Sequence, residues 1–246
     1  MRIIEPLIEV ENYDGVKIMK NIERACRTCY RSEGSITDDS YKKLLKNCIN
    51  RGHQSVLEHE KITIRMTCDI GVYKDLTRHR FGSFSIESTR YCNYGKDKFD
   101  NEIKFIKPIF YNPTPSQYAG EDCLDENEAL AETSDSLKTE LWKECMQHIE
   151  GVYVRMSKFA KPDELRMLLP HSTAAQVTMT ANIREWRHIL SLRASKMSHP
   201  AIQQLLIPLL LQFKEDMPEL FEDIEYNTEF PKEKYAKLIT IGEENA

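Results

Sequence analysis

The segment from residue 60 to residue 69 alternates apolar and polar side chains, which is the period of a strand with one buried face. Ile62, Ile64 and Met66 lie on its apolar side. Four other segments space their apolar residues as helices do, at 16–32, 39–52, 184–197 and 200–217. A strand pattern set among longer helical patterns predicts an α+β fold, with mixed helices packed on a small sheet.

Shorter patterns suggest the remaining elements. We predict helices over 71–80, 128–160 and 161–170, a strand over 101–112, and a strand or extended connector over 173–182. The helix at 71–80 should deliver a charged loop. No internal repeat or Gly/Ser-rich linker divides the chain, so we predict one domain over residues 1–231 and a frayed, charged tail over 232–246.

Composition and charge narrow the function. The formal net charge is -5, so the chain is not a generally basic nucleic-acid coat, and we expect no nucleic-acid partner. The longest apolar run, 205–211, is far shorter than the roughly 20 residues of a membrane span, so we expect no membrane partner. The short apolar run near Arg2 does not resemble a signal peptide, which favours a cytoplasmic protein.

The cysteine and histidine patterns bear on redox and metal chemistry. Cys26 and Cys29 form a CxxC pair, which can be a redox pair or half of a zinc site. No second CxxC follows and the pair falls in a helical pattern, so a structural role is favoured while a redox role stays open. His53 and His59 are the closest histidines outside the charged loop, and no HExxH occurs. We therefore predict no metal site.

The segment TRHRFGSFSIESTRY, residues 77–91, concentrates positive charge in an acidic chain. Its cations are Arg78, Arg80 and Arg90, with His79 between the first two. The chain has nine glycines but neither GxGxxG nor GxxxxGK[ST], so side chains would have to hold any phosphate. Arginine suits that task because its planar fork makes two charge-assisted hydrogen bonds. The alternative is a solvated loop whose arginines pair with surface acids.

The helix predicted at 184–197 carries an arginine on its apolar side. At about 100° per residue, one stripe contains Ile183, Trp186, Ile189, Leu190 and Met197. Arg193 falls within that stripe, whereas Arg184, His188 and Ser191 lie opposite. Because an unpaired buried guanidinium is very costly, Arg193 must have a partner. That partner is either an acid in a buried ion pair or a ligand in a pocket.

These residues match a known family. The run RHRFGSFSIESTRY resembles the signature of the flavin-dependent thymidylate synthases, in which RHR is followed after seven residues by Ser and then by x-Arg-Tyr. Here the matching positions are 78–80, Ser88 and 90–91. Three further segments are similar to the family's flavin segment, its Arg-x-x-Leu-Pro segment and its C-terminal signature: 52–59, 164–170 and 181–204.

The resemblance implies a fold and a reaction. Members have an α+β fold and form homotetramers with active sites where subunits meet. They methylate deoxyuridine monophosphate (dUMP) to dTMP, with 5,10-methylenetetrahydrofolate as carbon donor, FAD as hydride carrier and NADPH as reductant. No enzyme cysteine attacks the uracil. In keeping with this, none of the seven cysteines here follows proline, unlike the nucleophile of the classical thymidylate synthases.

The resemblance also implies site residues, by position. The FAD site would be lined by His53, Ser55, Arg78, His79, Arg80, Ile86, Asn182, Arg184 and His188. The dUMP site would comprise Asp75, Arg78, Ile86, Glu87, Ser88, Thr89, Arg90, Arg166 and Arg193. Arg90 and Arg166 are the expected phosphate partners. Arg193 is the expected catalytic residue, because a cation at the uracil edge favours the N3-deprotonated ring.

Some positions depart from the family pattern. Ser85 and Ile86 stand where members often have Asn and then Glu or Gln, so Ile86 can offer only its backbone and its bulk. Asp75 stands where many members have glutamine. Two other functions remain as alternatives: a nucleotide-binding or nucleic-acid-binding module without chemistry, and a flavin methyltransferase acting on RNA. The latter enzymes usually carry a dinucleotide glycine fingerprint, which this chain lacks.

Overall fold

The structure is a computed structural model that describes residues 1–114 and 135–242. Its strands are β1 (Arg2–Ile4), β2 (Leu7–Glu11), β3 (Lys61–Asp69), β4 (Gly82–Ile86), β5 (Lys104–Ile106), β6 (Ala174–Asn182) and β7 (Lys237–Ile241). Its α-helices are α1 (Gly15–Thr28), α2 (Ser40–Asn50), α3 (Ile70–Leu76), α4 (Asp135–Met156), α5 (Pro162–Leu165), α6 (Ile183–Arg193), α7 (Pro200–Asp216) and α8 (Pro218–Phe221). The predicted α+β class is confirmed.

The described residues form two compact units. The first unit combines Met1–Glu5 with the described part of Glu87–Ala175, and the second combines Pro6–Ile86 with the described part of Gln176–Ala246. In the first unit, β1 pairs in parallel with β5. Its core contains Tyr94, Phe105 and Tyr153, and α4 supplies Tyr153 to that core.

The second unit contains a mixed sheet in the order β4-β6-β3-β2-β7. The alternation predicted for β3 is confirmed, because Ile62, Ile64, Met66 and Cys68 are all buried while the residues between them are not. β2 is antiparallel to β3 and parallel to β7, and β4 is antiparallel to β6.

A buried aromatic group joins sheet and helices in the second unit. Trp186 of α6 donates its indole N–H to the carbonyl oxygen of Ile62, at 3.0 Å. Its ring lies edge-on to Phe213 of α7, with centroids 6.2 Å apart, and Phe213 in turn contacts Phe221 of α8. Because the polar end of Trp186 is bonded, its whole side chain can be buried without an unsatisfied donor. α6 is thereby fixed against β3.

The element boundaries agree with several predictions. The helices predicted at 16–32, 39–52, 71–80 and 200–217 are α1, α2, α3 and α7. The helix predicted over 128–160 is observed as α4, and residues 128–134 lie outside the described residues. In the part of the chain that is described, no helix is long and apolar enough to cross a membrane.

Two sequence predictions are wrong. The first wrong prediction is that the segment after α3 is a loop. From Gly82 to Ile86 it is the strand β4, in which Phe84 and Ile86 alternate with serines and pair with β6. The second is the prediction of a frayed tail, which is wrong for residues 237–241. These residues form β7 and pair with β2 over their whole length. The short strand KLITI was missed because the lysines and Glu233 near it made the whole segment resemble a charged tail.

We predict that removing all residues after Tyr235 destabilises the protein. The deletion removes β7 and buried Ala236, and it exposes the edge of β2. Lost apolar burial is worth on the order of 3 kcal/mol, which corresponds to a fall of about 5–10 °C in melting temperature. The control Lys237→Ala alters only an exposed side chain and should melt like the full chain. An unchanged melting temperature for the truncated protein would mean that these residues add no stability, as the prediction of a frayed tail implies.

Candidate functional site

The charged segment 77–81 is held between α3 and β4. Asp69 caps α3 by accepting a hydrogen bond from Val72 N at 2.7 Å, and the chain leaves that helix after Leu76. β4 then pairs with β6 so that Gly82 lies opposite Ala181. A Cβ at position 82 would lie 2.9 Å from the methyl carbon of Met179, so a larger residue there would have to displace that flexible side chain. The segment therefore lies beside the point where β6 passes into α6.

The start of α6 is capped by a predicted site residue. Asn182 Oδ1 accepts a hydrogen bond from Glu185 N at 2.8 Å. Ile183 N, one of the helix's otherwise unpaired amides, donates to the carbonyl oxygen of Glu60 at 3.0 Å. The positive end of the helix dipole thus lies next to the charged segment.

A cavity of about 1230 Å³ opens between these elements in the second unit. Six residues predicted for the FAD site line it: Arg78, His79, Arg80, Asn182, Arg184 and His188. The predicted residues His53, Ser55 and Ile86 do not line it. The structure therefore gathers two distant parts of the sequence, the RHR run and the start of α6, around one space.

Several cations of this cavity are already paired with acids. Arg184 Nη1 lies 2.6 Å from Glu58 Oε1, and Lys196 is paired with Glu229. Arg187 makes two hydrogen bonds of 2.7 Å to the carboxylate of Asp223, which hold the pKa of Asp223 below its ordinary value.

Arg78 and Arg80 differ from these cations. Both side chains are exposed, and neither has a carboxylate partner within the described ranges. They are the cations that an anionic ligand of this cavity would meet without first breaking an ion pair. This favours the phosphate-binding interpretation of the segment over a loop paired with surface acids.

His79 is a buried imidazole at the back of the cavity, only 5% exposed. Its Nε2 accepts a hydrogen bond from Arg193 Nε at 3.1 Å. Burial, the guanidinium of Arg193 and then His188 lower the pKa of His79 to about 4. The ring is therefore neutral near pH 7, with its proton on Nδ1, which lies 3.7 Å from Glu185 Oε1.

Arg193 has the partners that its position requires, and they are not acids. Besides His79, it donates from Nη2 to the carbonyl oxygen of Asp75 at 3.2 Å. The arginine of α6 that is buried and paired with an acid is Arg187 instead, and its partner Asp223 is half-exposed. The rest of the apolar stripe is buried as predicted, except Met197, which lies beyond the end of α6 and is 95% exposed.

The dUMP residues predicted between 87 and 166 belong to the first unit. Arg90 and Arg166 are exposed, and neither has a carboxylate partner in the described part of the chain. Ser88 Oγ accepts a hydrogen bond from Arg90 N at 3.4 Å, and Glu87 accepts one from the hydroxyl of Tyr94 at 2.8 Å. Glu87 thus has a structural contact in addition to its predicted role.

Sequence reasoning missed part of the cavity wall. Gln54 and Glu58 line the cavity from a 3₁₀ turn, although both lie within the family-like segment 52–59. Residues 223–229 form another part of the wall. Their only sequence signal is an acidic, polar composition, which does not distinguish a cavity wall from a surface loop.

The chain is similar to known proteins in sequence and in structure. The sequence profile of the family described as thymidylate synthase complementing protein matches residues 15–219. A flavin-dependent thymidylate synthase of Mycobacterium bovis is 28% identical over 222 residues, which cover 84% of this chain and 80% of that protein. A probable flavin-dependent thymidylate synthase of Mycobacterium phage L5 is also 28% identical, over 82% of this chain and 79% of the relative.

Solved structures share the fold. Thymidylate Synthase X from Helicobacter pylori, crystallised with FAD and dUMP, superimposes with a TM-score of 0.64 at 21% identity, over 89% of this chain and 98% of that one. The UMP/dUMP methylase PolB from Streptomyces cacaoi, bound with 5-Br dUMP, gives a TM-score of 0.68 at 21% identity, over 90% and 96% of the two chains.

We predict that His79 makes stability depend on pH. Its pKa falls from 6.5 in the unfolded chain to about 4 in the folded protein, so the unfolded chain binds a proton that the folded one does not. The stability from neutral His79 is complete above pH 6.5 and is lost as the pH falls toward 4. The loss at pH 5 should be on the order of 1–2 kcal/mol.

His79→Gln keeps an acceptor for Arg193 and should therefore show a smaller fall in melting temperature than the parent between pH 7.5 and 5. His148→Gln, at an exposed position on α4, should fall as much as the parent. If the melting temperatures of His79→Gln and the parent fall equally between pH 7.5 and 5, His79 is not a neutral, buried residue.

Proposed function

Because this chain belongs to the family of flavin-dependent thymidylate synthases, we propose that it converts dUMP to dTMP by reductive methylation. In this proposal 5,10-methylenetetrahydrofolate donates the carbon and NADPH the reducing equivalents, without an enzyme cysteine as nucleophile. The observation that carries the proposal is that Arg78 and Arg80 have no carboxylate partner among the described residues and line a large cavity with other residues of the family pattern.

The residues of the cavity fit FAD. Two uncompensated guanidiniums can hold its diphosphate where a glycine loop is lacking, and the positive end of α6 adds to their potential. Arg184 and His188 lie on the exposed side of α6 and can contact the rest of the cofactor. Bound FAD would supply hydride transfer.

Arg193 is suited to act on the uracil. The neutral imidazole of His79 fixes its Nε without neutralising its charge, and the Asp75 carbonyl fixes Nη2. Nη1 has no partner in the described part of the chain, so it remains available to a ligand. A fixed cation at the uracil edge lowers the pKa of the N3 proton, which makes C5 nucleophilic without covalent attack on the ring.

The described cysteines are poorly placed for nucleophilic attack. In the part of the chain that the structure describes, no cysteine lines the cavity. Burial and a hydrogen bond with Cys26 raise the pKa of the Cys48 thiol to about 12, so it is not ionised near pH 7. These observations support a mechanism without a cysteine nucleophile.

The substrate phosphate is assigned to the first unit. Arg90 and Arg166 have no carboxylate partner in the described part of the chain, and the hydroxyls of Ser88 and Thr89 can complete the anion's shell. We assign Ser88 to binding, because its Oγ accepts a hydrogen bond from Arg90 N and the described first unit places no basic side chain in hydrogen-bond contact with it.

The proposal includes a homotetramer that acts in the cytoplasm. Phe81 and Met197 are large apolar side chains that are almost fully exposed, and Phe81 also lines the cavity. Apolar surface beside a site is typical of a subunit contact. Cys26 and Cys48 lie as free thiols with sulfurs 3.3 Å apart, which suits a reducing compartment.

We predict that the purified protein absorbs between about 350 and 500 nm because it binds FAD, a flavoprotein cofactor. With FAD, NADPH and 5,10-methylenetetrahydrofolate it should form dTMP from dUMP. Arg78→Gln with Arg80→Gln should weaken FAD binding by about tenfold or more for each charge removed. Arg24→Gln with Arg51→Gln removes two exposed charges elsewhere and should leave FAD binding unchanged. A colourless protein that cannot be loaded with FAD would refute the proposal.

Arg193→Ala should lower turnover more than stability. The lost contact with the activated uracil is worth about 1.5–3 kcal/mol, so dTMP formation should slow by roughly ten- to a hundredfold or more. Arg193→Lys should restore little, because an ammonium offers no planar fork. The measurements are turnover, flavin content and melting temperature, and they distinguish a catalytic Arg193 from a structural one. Near-normal turnover together with a much lower melting temperature would make Arg193 a structural residue.

A further inference from the structure

The first unit contains a second depression, of about 630 Å³, formed by residues from segments 91–99 and 157–162. We call it the basic pocket. None of the residues predicted to bind dUMP lines it. Four lysines do: Lys96, Lys98, Lys158 and Lys161.

The positive charge of the basic pocket is uncompensated. No acidic residue is among those that line it, and none of its four lysines forms an ion pair with the described residues. Two other lysines of this unit do have acidic partners: Lys104 pairs with Asp100, and Lys138 pairs with Asp135. An anion bound among these lysines is stabilised because it meets their positive charge without first breaking an ion pair.

The pocket also has a side-chain donor that no described residue accepts from. Asn93 is only 7% exposed, and its Oδ1 accepts a hydrogen bond from Gly95 N at 3.0 Å. Its Nδ2 has no partner among the described residues. Because Nδ2 is not fully enclosed, it is open to solvent, and a ligand atom that accepts from it takes the place of a hydrogen bond to water.

Aromatic rings border the lysines. Tyr91 is 77% exposed and Phe159 is 80% exposed, and both line the pocket. The ammonium of Lys98 lies 5.7 Å from the centre of the Phe99 ring. Exposed rings beside cations suit a ligand that has both a flat ring and negative charge, because the ring can stack while the anions meet the ammonium groups.

The two walls are held together before any ligand binds. A Cβ at Gly95 would lie 2.2 Å from Ser157 Oγ, so glycine allows the two segments to touch. Tyr94, the residue between Asn93 and Gly95 in the chain, is buried. Its backbone N–H donates to the hydroxyl of Tyr153 at 3.3 Å. A preformed site loses less entropy on binding than one that must be assembled.

We propose that the basic pocket binds a small polyanion that carries an aromatic ring. Its negative groups would lie among the four lysines, its ring against Tyr91 or Phe159, and one of its acceptors at Asn93 Nδ2. A nucleoside triphosphate and a folate with several γ-linked glutamates share this chemistry. The inference stands on the pocket alone and does not depend on the proposed reaction.

Isothermal titration of the FAD-loaded protein, saturated with dUMP, tests the proposal. Saturation with dUMP keeps added nucleotides out of the substrate site. The probes are dTTP, a folate monoglutamate, a folate pentaglutamate and inorganic tripolyphosphate. We expect saturable binding of dTTP or of the pentaglutamate with a Kd of about 100 µM or lower. The probe that binds identifies the source of the polyanion, and the monoglutamate and tripolyphosphate should bind more weakly.

Two variants place the binding in this pocket. Lys98→Gln with Lys158→Gln should weaken it by about tenfold or more. Asn93→Asp keeps the acceptor for Gly95 but puts a negative charge in place of the free donor, so it should also weaken binding. The control Lys104→Gln with Lys138→Gln removes two lysines that already have acidic partners and should change little. Circular dichroism and melting temperature confirm that each variant is folded.

The proposal is overturned if no probe binds saturably, or if neither pocket variant changes the Kd. Equal affinity for tripolyphosphate and dTTP would overturn the role given to the rings. dTMP formation at saturating substrate should persist in the Lys98→Gln, Lys158→Gln variant, so failure of this proposal and failure of the proposed reaction are distinguishable.

Discussion

The antiparallel pairing of β4 with β6 determines where the charged segment 77–81 lies. The pairs run from Gly82 opposite Ala181 to Ile86 opposite Val177, and the alternation of β4 fixes their register. A slip of one residue would turn Phe84 and Ile86 to the opposite face and expose them in place of the serines. The register therefore holds the RHR run beside the start of α6, and the cavity depends on that proximity.

Charge pairing then decides which groups in the cavity can act on a ligand. Arg184, Arg187 and Lys196 each have a carboxylate partner, whereas Arg78 and Arg80 do not within the described residues. His79 contributes no charge near pH 7 because burial and Arg193 keep it neutral. The cavity thus offers anions two permanent cations whose protonation does not change over the physiological range.

Sequence alone predicted the elements whose patterns are long and local. β3 and the buried stripe of α6 follow from periodicity, and the RHR run follows from its charge and its family resemblance. β4 and β7 were missed because each has only five residues, and serines or nearby lysines obscured their alternation. The partners of Arg193 and the contribution of residues 223–229 are long-range contacts, which local patterns do not encode.

The two tryptophans of the chain lie in different units. Trp142 packs half-buried against the core of the first unit, with its ring edge-on to Phe105. Trp186 is completely buried in the second, with its indole N–H bonded to a backbone carbonyl. Intrinsic tryptophan fluorescence can therefore report on the two units separately. If either tryptophan is replaced by phenylalanine, the emission of the other follows the unfolding of its own unit alone. The shielded indole of Trp186 should emit at the shorter wavelength.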